Sequence, residues 1–419
     1  MYALGEAVAL ANGRGRYGVG WDGRKTSALL ARTVSSAVNS VGSDVASFGQ
    51  VPTPVIAFGT RSRSCKAGFA VTASHNPAEF SGVKIFNQKG MELPTSDEER
   101  IARAMSVEVM RSAGSFGDAF VDEGVADEYV SSLVSRHERQ THPLRIAVDC
   151  SCGPGGLITP RVLQYLGHTV LAVNAQVSWR FPARPPEPTG KNLEDFSNIV
   201  MRLGVDLGLA HDGDADRVVM VNRNGKVVPD SVLAILAMRA MNLSTGAAIL
   251  SENTSNAVAE EATTLGLTVV RSRVGKSFAS VESQGGVFAA EPSKIVDPKW
   301  GLWEDGINAA ALVTGLLAND RGLLDRVTQE VPWSYRQVNF DSAVRMPLLK
   351  DRVRELFKKY RIVYERELDG FKVGLYGGSW VMFRQSGTEP KVRLYCESKD
   401  AQMLDVFVQL GSLCIESSK

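Results

Sequence analysis

Several features that define whole classes of protein are scarce in this sequence of 419 residues. Its 47 basic and 46 acidic side chains leave a net charge of +1, which excludes a field strong enough to gather nucleic acid or an anionic membrane. No apolar run approaches the roughly 20 residues of a membrane span, and the N-terminus lacks a signal-peptide pattern. The five cysteines are scattered, without paired metal-ligand spacing, and indicate reduced thiols. We therefore expect a cytoplasmic protein.

The chain is long enough for two to four domains, because single cores stop growing at roughly 250–300 residues. Strands and helices alternate through most of it, which is typical of α/β layers. The last part, in the order strand, helix, several strands and a final helix, is typical of an α+β domain. We place the four units at residues 1–125, 126–228, 229–330 and 331–419.

The first informative stretch is residues 71–77, V-T-A-S-H-N-P. It follows the apolar run 68–71, which predicts a buried strand, and the His-Asn-Pro sequence predicts a tight loop. Ser74 is thereby presented on a strand-end loop beside the small Ala73, where an anionic group can approach, and His75 can donate a hydrogen bond to such an anion. The alternative, a turn whose polar side chains satisfy local backbone, stays open.

Lys84 lies in the next predicted strand, residues 81–86, among apolar neighbours. If it is buried, desolvation lowers the pKa of its ammonium toward the range of a general base. On these residues alone the plainer interpretation, an edge-strand lysine facing water, is favoured.

A second motif, H-D-G-D-A-D-R, follows the apolar strand 205–210 and places three aspartates at alternate positions. Asp212, Asp214 and Asp216 offer hard oxygen ligands of the kind that Mg²⁺ or Ca²⁺ prefers. An EF-hand needs a glutamate twelve positions along the loop, where this sequence has Arg223, so that calcium motif is excluded. Arg217 can orient a carboxylate or clamp a phosphate oxygen. An acidic surface loop is the alternative.

Two further loops carry polar side chains at strand ends. In the third unit, Arg273 and Lys276 can meet an anion, and Glu291 and Ser293 can bind neighbouring sugar hydroxyls. In the last unit, R-Q-S-G-T places a guanidinium, hydroxyls and backbone N–H groups around a glycine turn, which is a phosphate cradle in chemical terms. If each motif is considered alone, an ordinary Pro-containing turn explains the first and a hairpin loop explains the second equally well.

Taken together and in this order, T-A-S-H-N-P, D-G-D-A-D-R, E-P-S and R-x-S-G-T-E-P resemble the α-D-phosphohexomutase family, which includes phosphoglucomutase, phosphomannomutase and phosphoglucosamine mutase. The resemblance covers nearly the whole chain. It implies three similar α/β domains with mixed sheets plus a smaller C-terminal α+β domain, around a central cleft. It also implies a hinge between the third and fourth domains.

The resemblance implies roles for the motif residues. Ser74 is similar to the serine that carries the catalytic phosphate, and with Asp212, Asp214 and Asp216 it would hold one Mg²⁺. His75, Lys84 and Arg217 would act beside the phosphoserine, with Lys84 as general base or acid. The expected substrate contacts are Arg273, Lys276, Glu291, Ser293, Lys294, Arg384, Ser386, Gly387, Thr388 and Arg393.

The implied reaction interconverts hexose 6-phosphate and hexose 1-phosphate through phosphoserine and a bisphosphorylated hexose, which also serves as activator. We expect a monomer or homodimer with hexose monophosphate substrates and no nucleic acid or membrane partner. Phosphoglucosamine mutase is the favoured activity. Phosphomannomutase/phosphoglucomutase, a non-catalytic sugar-phosphate binding protein and a metal-dependent phosphatase are the alternatives.

Three departures from the family pattern bear on these expectations. The family's first strand and its F-G-T-x-G-x-R-G loop have no counterpart, so either the start lies upstream of Met1 or that strand is lost. Lys294 stands where the sugar loop usually has histidine, which leaves the preferred hexose open. Gln385 replaces a common proline, a change that we expect to be tolerated.

Overall fold

A computed structural model describes residues 1–105, 116–385 and 391–418. Four sheets follow one another along the chain: three are mixed and the last is antiparallel. The chain thus has three α/β domains and a C-terminal domain built on an antiparallel sheet, as the sequence pattern predicted. Within the described residues, no helix is both long and apolar enough to cross a bilayer.

The first domain is a five-stranded sheet with helices packed on it. Its strands are β1 (Arg16–Trp21), β2 (Asp44–Gln50), β3 (Ala67–Val71), β4 (Lys84–Asn87) and β5 (Ala119–Val121), in the spatial order β4-β3-β1-β2-β5. Its helices are α1 (Tyr2–Asn12), α2 (Ser27–Ser40), α3 (Thr53–Ser62) and α4 (Thr95–Ala104), and α5 (Val125–Val134) leads to the second domain. Strand β3 is apolar and buried throughout, as a strand covered on both faces must be.

The expected strand at residues 81–86 is shorter at its start than predicted. Strand β4 begins at Lys84, which lies opposite Ala70, and runs antiparallel to β3. Residues 81–83 instead complete the loop around Ser74, where the Gly82 carbonyl accepts a hydrogen bond from the Thr72 amide.

The second and third domains repeat one plan on four strands each. The second has β6 (Arg145–Asp149), β7 (Thr169–Val173), β8 (Leu207–His211) and β9 (Val218–Asn222), with helices α6 (Thr159–Tyr165) and α7 (Glu194–Leu203) and short 3-10 turns at Pro154–Leu157 and Lys191–Leu193. The third has β10 (Ala247–Ser251), β11 (Thr268–Ser272), β12 (Gly286–Glu291) and β13 (Lys294–Val296), with helices α8 (Asp230–Ala240), α9 (Asn256–Thr264), α10 (Ser277–Gln284), α11 (Gly306–Asn319) and α12 (Leu323–Glu330). Their spatial orders are β7-β6-β8-β9 and β11-β10-β12-β13.

The fourth domain has a five-stranded antiparallel sheet of order β14-β18-β17-β16-β15. The strands are β14 (Ser334–Phe340), β15 (Ile362–Arg366), β16 (Phe371–Leu375), β17 (Trp380–Gln385) and β18 (Val392–Ser398). Helices α13 (Met346–Phe357) and α14 (Ala401–Glu416) accompany them, with a 3-10 turn at Lys358–Tyr360. This domain has its own core, whereas one continuous core joins the second and third domains.

Candidate active site

Three of the loops singled out in the sequence occupy the same position in their domains. In each α/β domain, an antiparallel pair of consecutive strands joins an inner strand to an edge strand. The connecting loops are the serine loop (72–83, between β3 and β4), the aspartate loop (212–217, between β8 and β9) and the Pro-Ser loop (292–293, between β12 and β13). The repeated topology therefore delivers the three motifs in equivalent positions.

Ser74 lies on the serine loop with its backbone in the left-handed region, at φ 47°, and is buried. Its hydroxyl donates a hydrogen bond to Oδ2 of Asp212 at 2.7 Å, and its amide donates to Oγ1 of Thr72 at 2.8 Å. The hydroxyl lies 3.5 Å from Nδ1 of His75. Ser74 thus meets the aspartate loop of the next domain directly.

The three aspartates of the aspartate loop form a buried cluster. One oxygen from each of Asp212, Asp214 and Asp216 lies within 4.8 Å of the others. Oδ1 of Asp214 and Oδ1 of Asp216 are buried and have no hydrogen-bond partner among the described residues. Buried carboxylate oxygens without partners are costly unless a cation meets them, so the cluster fits a hard divalent ion.

Cationic side chains surround the cluster. The Lys84 ammonium bonds Asp214 at 3.2 Å and also Asp216, and the Lys294 ammonium lies 3.1 Å from Asp216 and bonds Glu304. Nε of Arg217 is 3.8 Å from Oδ1 of Asp216. These three cations come from three different domains, so only the packing of the domains brings them together.

The charged neighbours shift the pKa values of Asp212 and Asp216 in opposite directions. Burial and the neighbouring Asp216 and Asp214 hold the pKa of Asp212 well above its usual range. Burial also opposes ionisation of Asp216, but Lys294, Lys84 and Arg217 outweigh it and hold that pKa well below its usual range.

Lys84 corrects two sequence-based interpretations. It lies on an edge strand, yet its ammonium faces carboxylates and not water. Burial alone would lower its pKa, but Asp214 and Asp216 outweigh burial and raise the pKa well above the usual lysine value. The lysine is therefore protonated in this arrangement and is not the neutral base that burial alone predicted.

Both histidines of the motifs are neutral. Burial, with Arg217 and Lys294 nearby, lowers the pKa of His75 to about 2. Burial lowers that of His211 to about 4, and its Nδ1–H donates to the Arg217 carbonyl at 2.7 Å. His211 therefore closes the aspartate loop on itself.

Several residues that support the site carried no signal strong enough to single them out in the sequence. Thr53 donates to Oδ2 of Asp214 at 2.6 Å, and Arg184 donates to the His211 carbonyl at 2.7 Å while pairing with buried Asp149. Arg24 binds the serine loop from behind. Each partner lies far along the chain, so local pattern alone gives no warning, although Arg24 belongs to the D-G-R sequence that ends β1.

The Pro-Ser loop lines a cavity of about 590 Å³ that lies between the second, third and fourth domains. Glu291 is buried, and its two carboxylate oxygens accept hydrogen bonds from the amides of Gly275 at 2.7 Å and Ser277 at 3.2 Å. Asp230 lies near Ser293; burial raises the pKa of Asp230, while Ser293 and Arg217 lower it. Arg217 lines this cavity and also contacts the aspartate cluster, so it connects the two regions.

The other expected substrate contacts are more dispersed. The Lys276 ammonium bonds Glu98 at 2.7 Å and the Leu93 carbonyl at 3.1 Å, across in the first domain, and Arg273 is exposed. Nε of Arg384 bonds Asp369 at 2.7 Å, and Arg393 lies opposite Arg384 in the register of β17 and β18. Ser386, Gly387 and Thr388 lie outside the described residues.

A four-domain protein with a buried hydroxyl directed at an acidic cluster, and with cations around it, has the groups that an enzyme for metal-assisted phosphoryl transfer would need. Family models agree with this class. They match as "Phosphoglucomutase/phosphomannomutase", alpha/beta/alpha domain I over residues 1–110, domain II over 127–225, domain III over 228–335 and the C-terminal domain over 344–409. The chain belongs to this family of α-D-phosphohexomutases, whose members are mutases, a kind of isomerase.

Individual relatives carry two activity names. The "Phosphopentomutase" of Thermococcus kodakarensis is 32% identical over 407 residues, covering 94% of this chain and 88% of that protein. The "Probable phosphoglucosamine mutase" of Methanopyrus kandleri is 33% identical over 426 residues, covering 99% and 93%.

Solved structures share the fold at lower identity. A phosphoglucomutase/phosphomannomutase family protein of Burkholderia thailandensis superposes with a TM-score of 0.83 at 23% identity, covering 99% of this chain and 93% of that one. The N-acetylphosphoglucosamine mutase of Aspergillus fumigatus, in complex with GlcNAc-6P and magnesium, gives 0.62 at 15% identity, covering 88% and 92%.

Proposed function

We propose that this chain is a phosphohexomutase in which Ser74 carries the phosphoryl group between the two ends of the sugar. The observation that carries the proposal is the hydrogen bond from the Ser74 hydroxyl to Asp212, at the edge of a buried acidic cluster. A binding protein has no need of a hydroxyl in that position. In the first transfer the phosphorus–oxygen bond to Ser74 breaks as a bond to the free sugar hydroxyl oxygen forms. In the second transfer the phosphorus–oxygen bond at the other end of the sugar breaks as the bond to Ser74 forms again.

The residues of the site divide the work of that reaction. Asp212, Asp214 and Asp216, with Ser74, would hold one Mg²⁺, which supplies positive charge to the transferring phosphoryl group when bound. Lys84, protonated beside Asp214 and Asp216, would exchange the proton with the reacting oxygens.

The cationic groups at the cleft would hold the phosphate that is not reacting. Arg217 contributes at the aspartate loop, and Arg384 and Arg393 lie on adjacent strands of the fourth domain. Rebinding the intermediate in its second orientation needs the fourth domain to release and recapture that phosphate, which is why we place the hinge before it.

The favoured substrate is an amino sugar phosphate. The cavity beside the Pro-Ser loop is lined by the acidic residues Glu187, Asp230 and Glu291 and by Arg217 and Arg336, among others. Asp230 lies within reach of Ser293 and has no lysine or arginine in an ion pair with it among the described residues, so an ammonium on the sugar would give it a charged partner. A neutral hydroxyl at the same place would stabilise the Asp230 carboxylate less than an ammonium would. This favours glucosamine phosphate over mannose or glucose phosphate.

The proposal is tested by mass spectrometry of the purified chain incubated with hexose 1-phosphates, a bisphosphorylated hexose and Mg²⁺. We expect one phosphate on the peptide that contains Ser74, exchange of that phosphate with the sugar, and formation of the isomer. Ser74→Ala should lower turnover at least about 1,000-fold and change the free energy of unfolding by no more than about 1 kcal/mol. Ser81→Ala, on the exposed part of the same loop, is the matched control.

The product separates the competing functions. Isomer without phosphate on Ser74 would refute Ser74 as the carrier, free phosphate in place of isomer would mean a phosphatase, and no turnover would mean a sugar-phosphate binding protein. A panel of glucosamine, N-acetylglucosamine, glucose, mannose and ribose phosphates then ranks the substrates. We expect Asp230→Asn to lower kcat/KM for glucosamine phosphate by about tenfold and for glucose phosphate by less; equal losses would refute the role of Asp230.

A further inference from the structure

Arg24 lies behind the serine loop and is almost fully buried. Its guanidinium has five N–H donors, and each of them has an acceptor. Nη2 donates to the carbonyls of Ser74 at 2.8 Å and Asn76 at 2.6 Å, and Nη1 donates to the carbonyls of Phe80 at 3.1 Å and Pro77. Four carbonyls of one loop therefore converge on one side chain.

The fifth donor fixes Arg24 itself. Nε pairs with Oδ2 of Asp22 at 3.0 Å, and the Arg24 amide donates to Oδ1 of the same carboxylate at 3.0 Å. Ser27 also donates to Asp22, at 2.6 Å. The guanidinium lies 5.2 Å from the ring of Phe181, which comes from the second domain. Arg24 is thus held in place before it binds the loop.

The carbonyl contacts explain the unusual backbone of Ser74. A serine in the left-handed region persists only where its surroundings hold it there. Here the Ser74 carbonyl is bound by Arg24 and its amide by Thr72, so both backbone groups of the residue are fixed. The side chain then points away from Arg24 toward Asp212.

We propose that Arg24 is a positioning residue for the Ser74 hydroxyl: by binding the four carbonyls of the serine loop it holds that hydroxyl in line with the aspartate cluster. The proposal rests on the proposed function of Ser74 as phosphoryl carrier. Arg24 contacts Ser74 through the backbone carbonyl and not through the reacting hydroxyl, so it acts through the loop. A lysine keeps the charge but has three donors on one atom and cannot reproduce the planar fork.

The test compares Arg24→Lys with Arg63→Lys, a matched change in the same domain. Arg63 bonds the carboxylates of Asp122 and Glu128 and no carbonyl of the serine loop. The first measurement is amide hydrogen exchange in peptides covering residues 72–83. The second is steady-state kinetics, which gives kcat and KM, together with the transfer of phosphate from a hexose 1,6-bisphosphate to Ser74. We expect Arg24→Lys to speed exchange in that segment about tenfold, to lower kcat about 100-fold, and to leave KM within about threefold. Arg63→Lys should change none of these.

The outcomes separate this proposal from the one it rests on. Unchanged exchange and unchanged kcat in Arg24→Lys would overturn it, as would an equal rise in exchange across the whole first domain, since that is a general packing defect. If Arg24→Lys does not fold, Asp22→Asn loosens the guanidinium on its Nε side, and we expect faster exchange in residues 72–83 with a smaller loss of kcat; no local change would overturn the proposal. A wild-type chain that never phosphorylates Ser74 would refute the phosphoryl carrier, while exchange still decides whether Arg24 orders the loop.

Discussion

At the scale of single residues, the same kind of backbone strain recurs in the three loops of the site. Each of the three loops contains one non-glycine residue in the left-handed region: Ser74 at φ 47°, Ala215 at φ 59° and Ser293 at φ 62°. Each such residue costs about 1 kcal/mol or more unless its surroundings compensate. The repetition in three equivalent hairpin loops indicates that the tight loop geometry belongs to the site and not to one domain.

Gly213 illustrates how closely the loops approach one another. A Cβ placed on Gly213 would lie 2.5 Å from the Ser74 carbonyl oxygen, a backbone atom that Arg24 holds in place. We predict that Gly213→Ala lowers kcat at least about 100-fold by displacing Ser74 from Asp212. Steady-state kinetics with a thermal melt checks this.

The control for that prediction is Gly315→Ala, since Gly315 lies within helix α11, where an added Cβ would make an ordinary contact with Nε2 of Gln140 at 3.5 Å. It should keep full activity and gain up to about 1 kcal/mol of stability from helix propensity. Full activity in Gly213→Ala would mean that the serine loop and the aspartate loop can move apart without a loss of kcat.

The sequence identifies the reactive residue types but not the environments that tune them. Ser74 and the three aspartates could be singled out because their motifs are local, and the structure places them together. The pKa direction of Lys84 was wrong, because its partners Asp214 and Asp216 lie 130 and more residues away. Arg24 was missed for the same reason, since its carbonyl partners begin 50 residues further along.

At the scale of elements, inner strands were easier to predict than edge strands. Strand β3, predicted over residues 68–71, spans Ala67–Val71 and lies inside its sheet, because an apolar run is a local signal. Strands β9 and β15 had no counterpart in the prediction. Strand β15 is half exposed at the sheet edge and carries mixed polarity, and β9 directly follows the aspartate loop, so neither has a boundary visible in the sequence.

Helix α11 begins after the N-cap residue Asp305, which binds more donors than an ordinary N-cap aspartate, although the local sequence gives no sign of this. The buried carboxylate of Asp305 accepts from the amides of Ile307 and Asn308, and also from the ring N–H groups of Trp300 and Trp303 and the Tyr129 hydroxyl. We predict that Asp305→Asn costs about 2–3 kcal/mol of stability, because an amide cannot accept from all five donors.

Asp400 gives the matched comparison for Asp305. It caps helix α14 through the amides of Gln402 and Met403 at an exposed position. Asp400→Asn should cost less than about 1 kcal/mol. Urea unfolding of both variants measures the difference, and equal losses would mean that the three side-chain donors on Asp305 add nothing to its capping bonds.

At the scale of the whole molecule, the cores divide the chain unequally. One cluster of buried apolar side chains joins the second and third domains, and another joins the first domain to them through Trp300 and Trp303. The fourth domain has a core of its own and meets the third through a small cluster around Val274, Trp380 and Tyr395, together with polar contacts. This distribution favours a hinge before the fourth domain, since moving it breaks the least apolar contact.

The polar part of that interface contains a buried lysine. The ammonium of Lys372, in the fourth domain, donates to the Glu252 carbonyl of the third at 2.6 Å and lies 3.8 Å from the ring of Trp380. Burial, with Arg271 nearby, lowers its pKa to about 7, although Glu252 and Glu397 oppose the shift and Arg366 adds to it. An unfolded lysine titrates near 10.4, so between about pH 7 and 10 the unfolded state binds more protons than the folded state.

The stability of the fourth domain should therefore rise as the pH increases from about 7 to 10. Below about pH 7, the full penalty for burying the charged ammonium of Lys372 is present. We predict that the free energy of unfolding of wild type, minus that of Lys372→Met, increases by about 1 kcal/mol per unit from pH 7 to 9. Taking the difference removes the titration of cysteines and tyrosines common to both proteins. Lys399→Met is the control, since Lys399 lies at the same interface, near Glu260 and Trp333, but is half exposed. Parallel stability curves for wild type and Lys372→Met would show that the lysine stays charged in the folded protein, and the interface would then be insensitive to pH over this range.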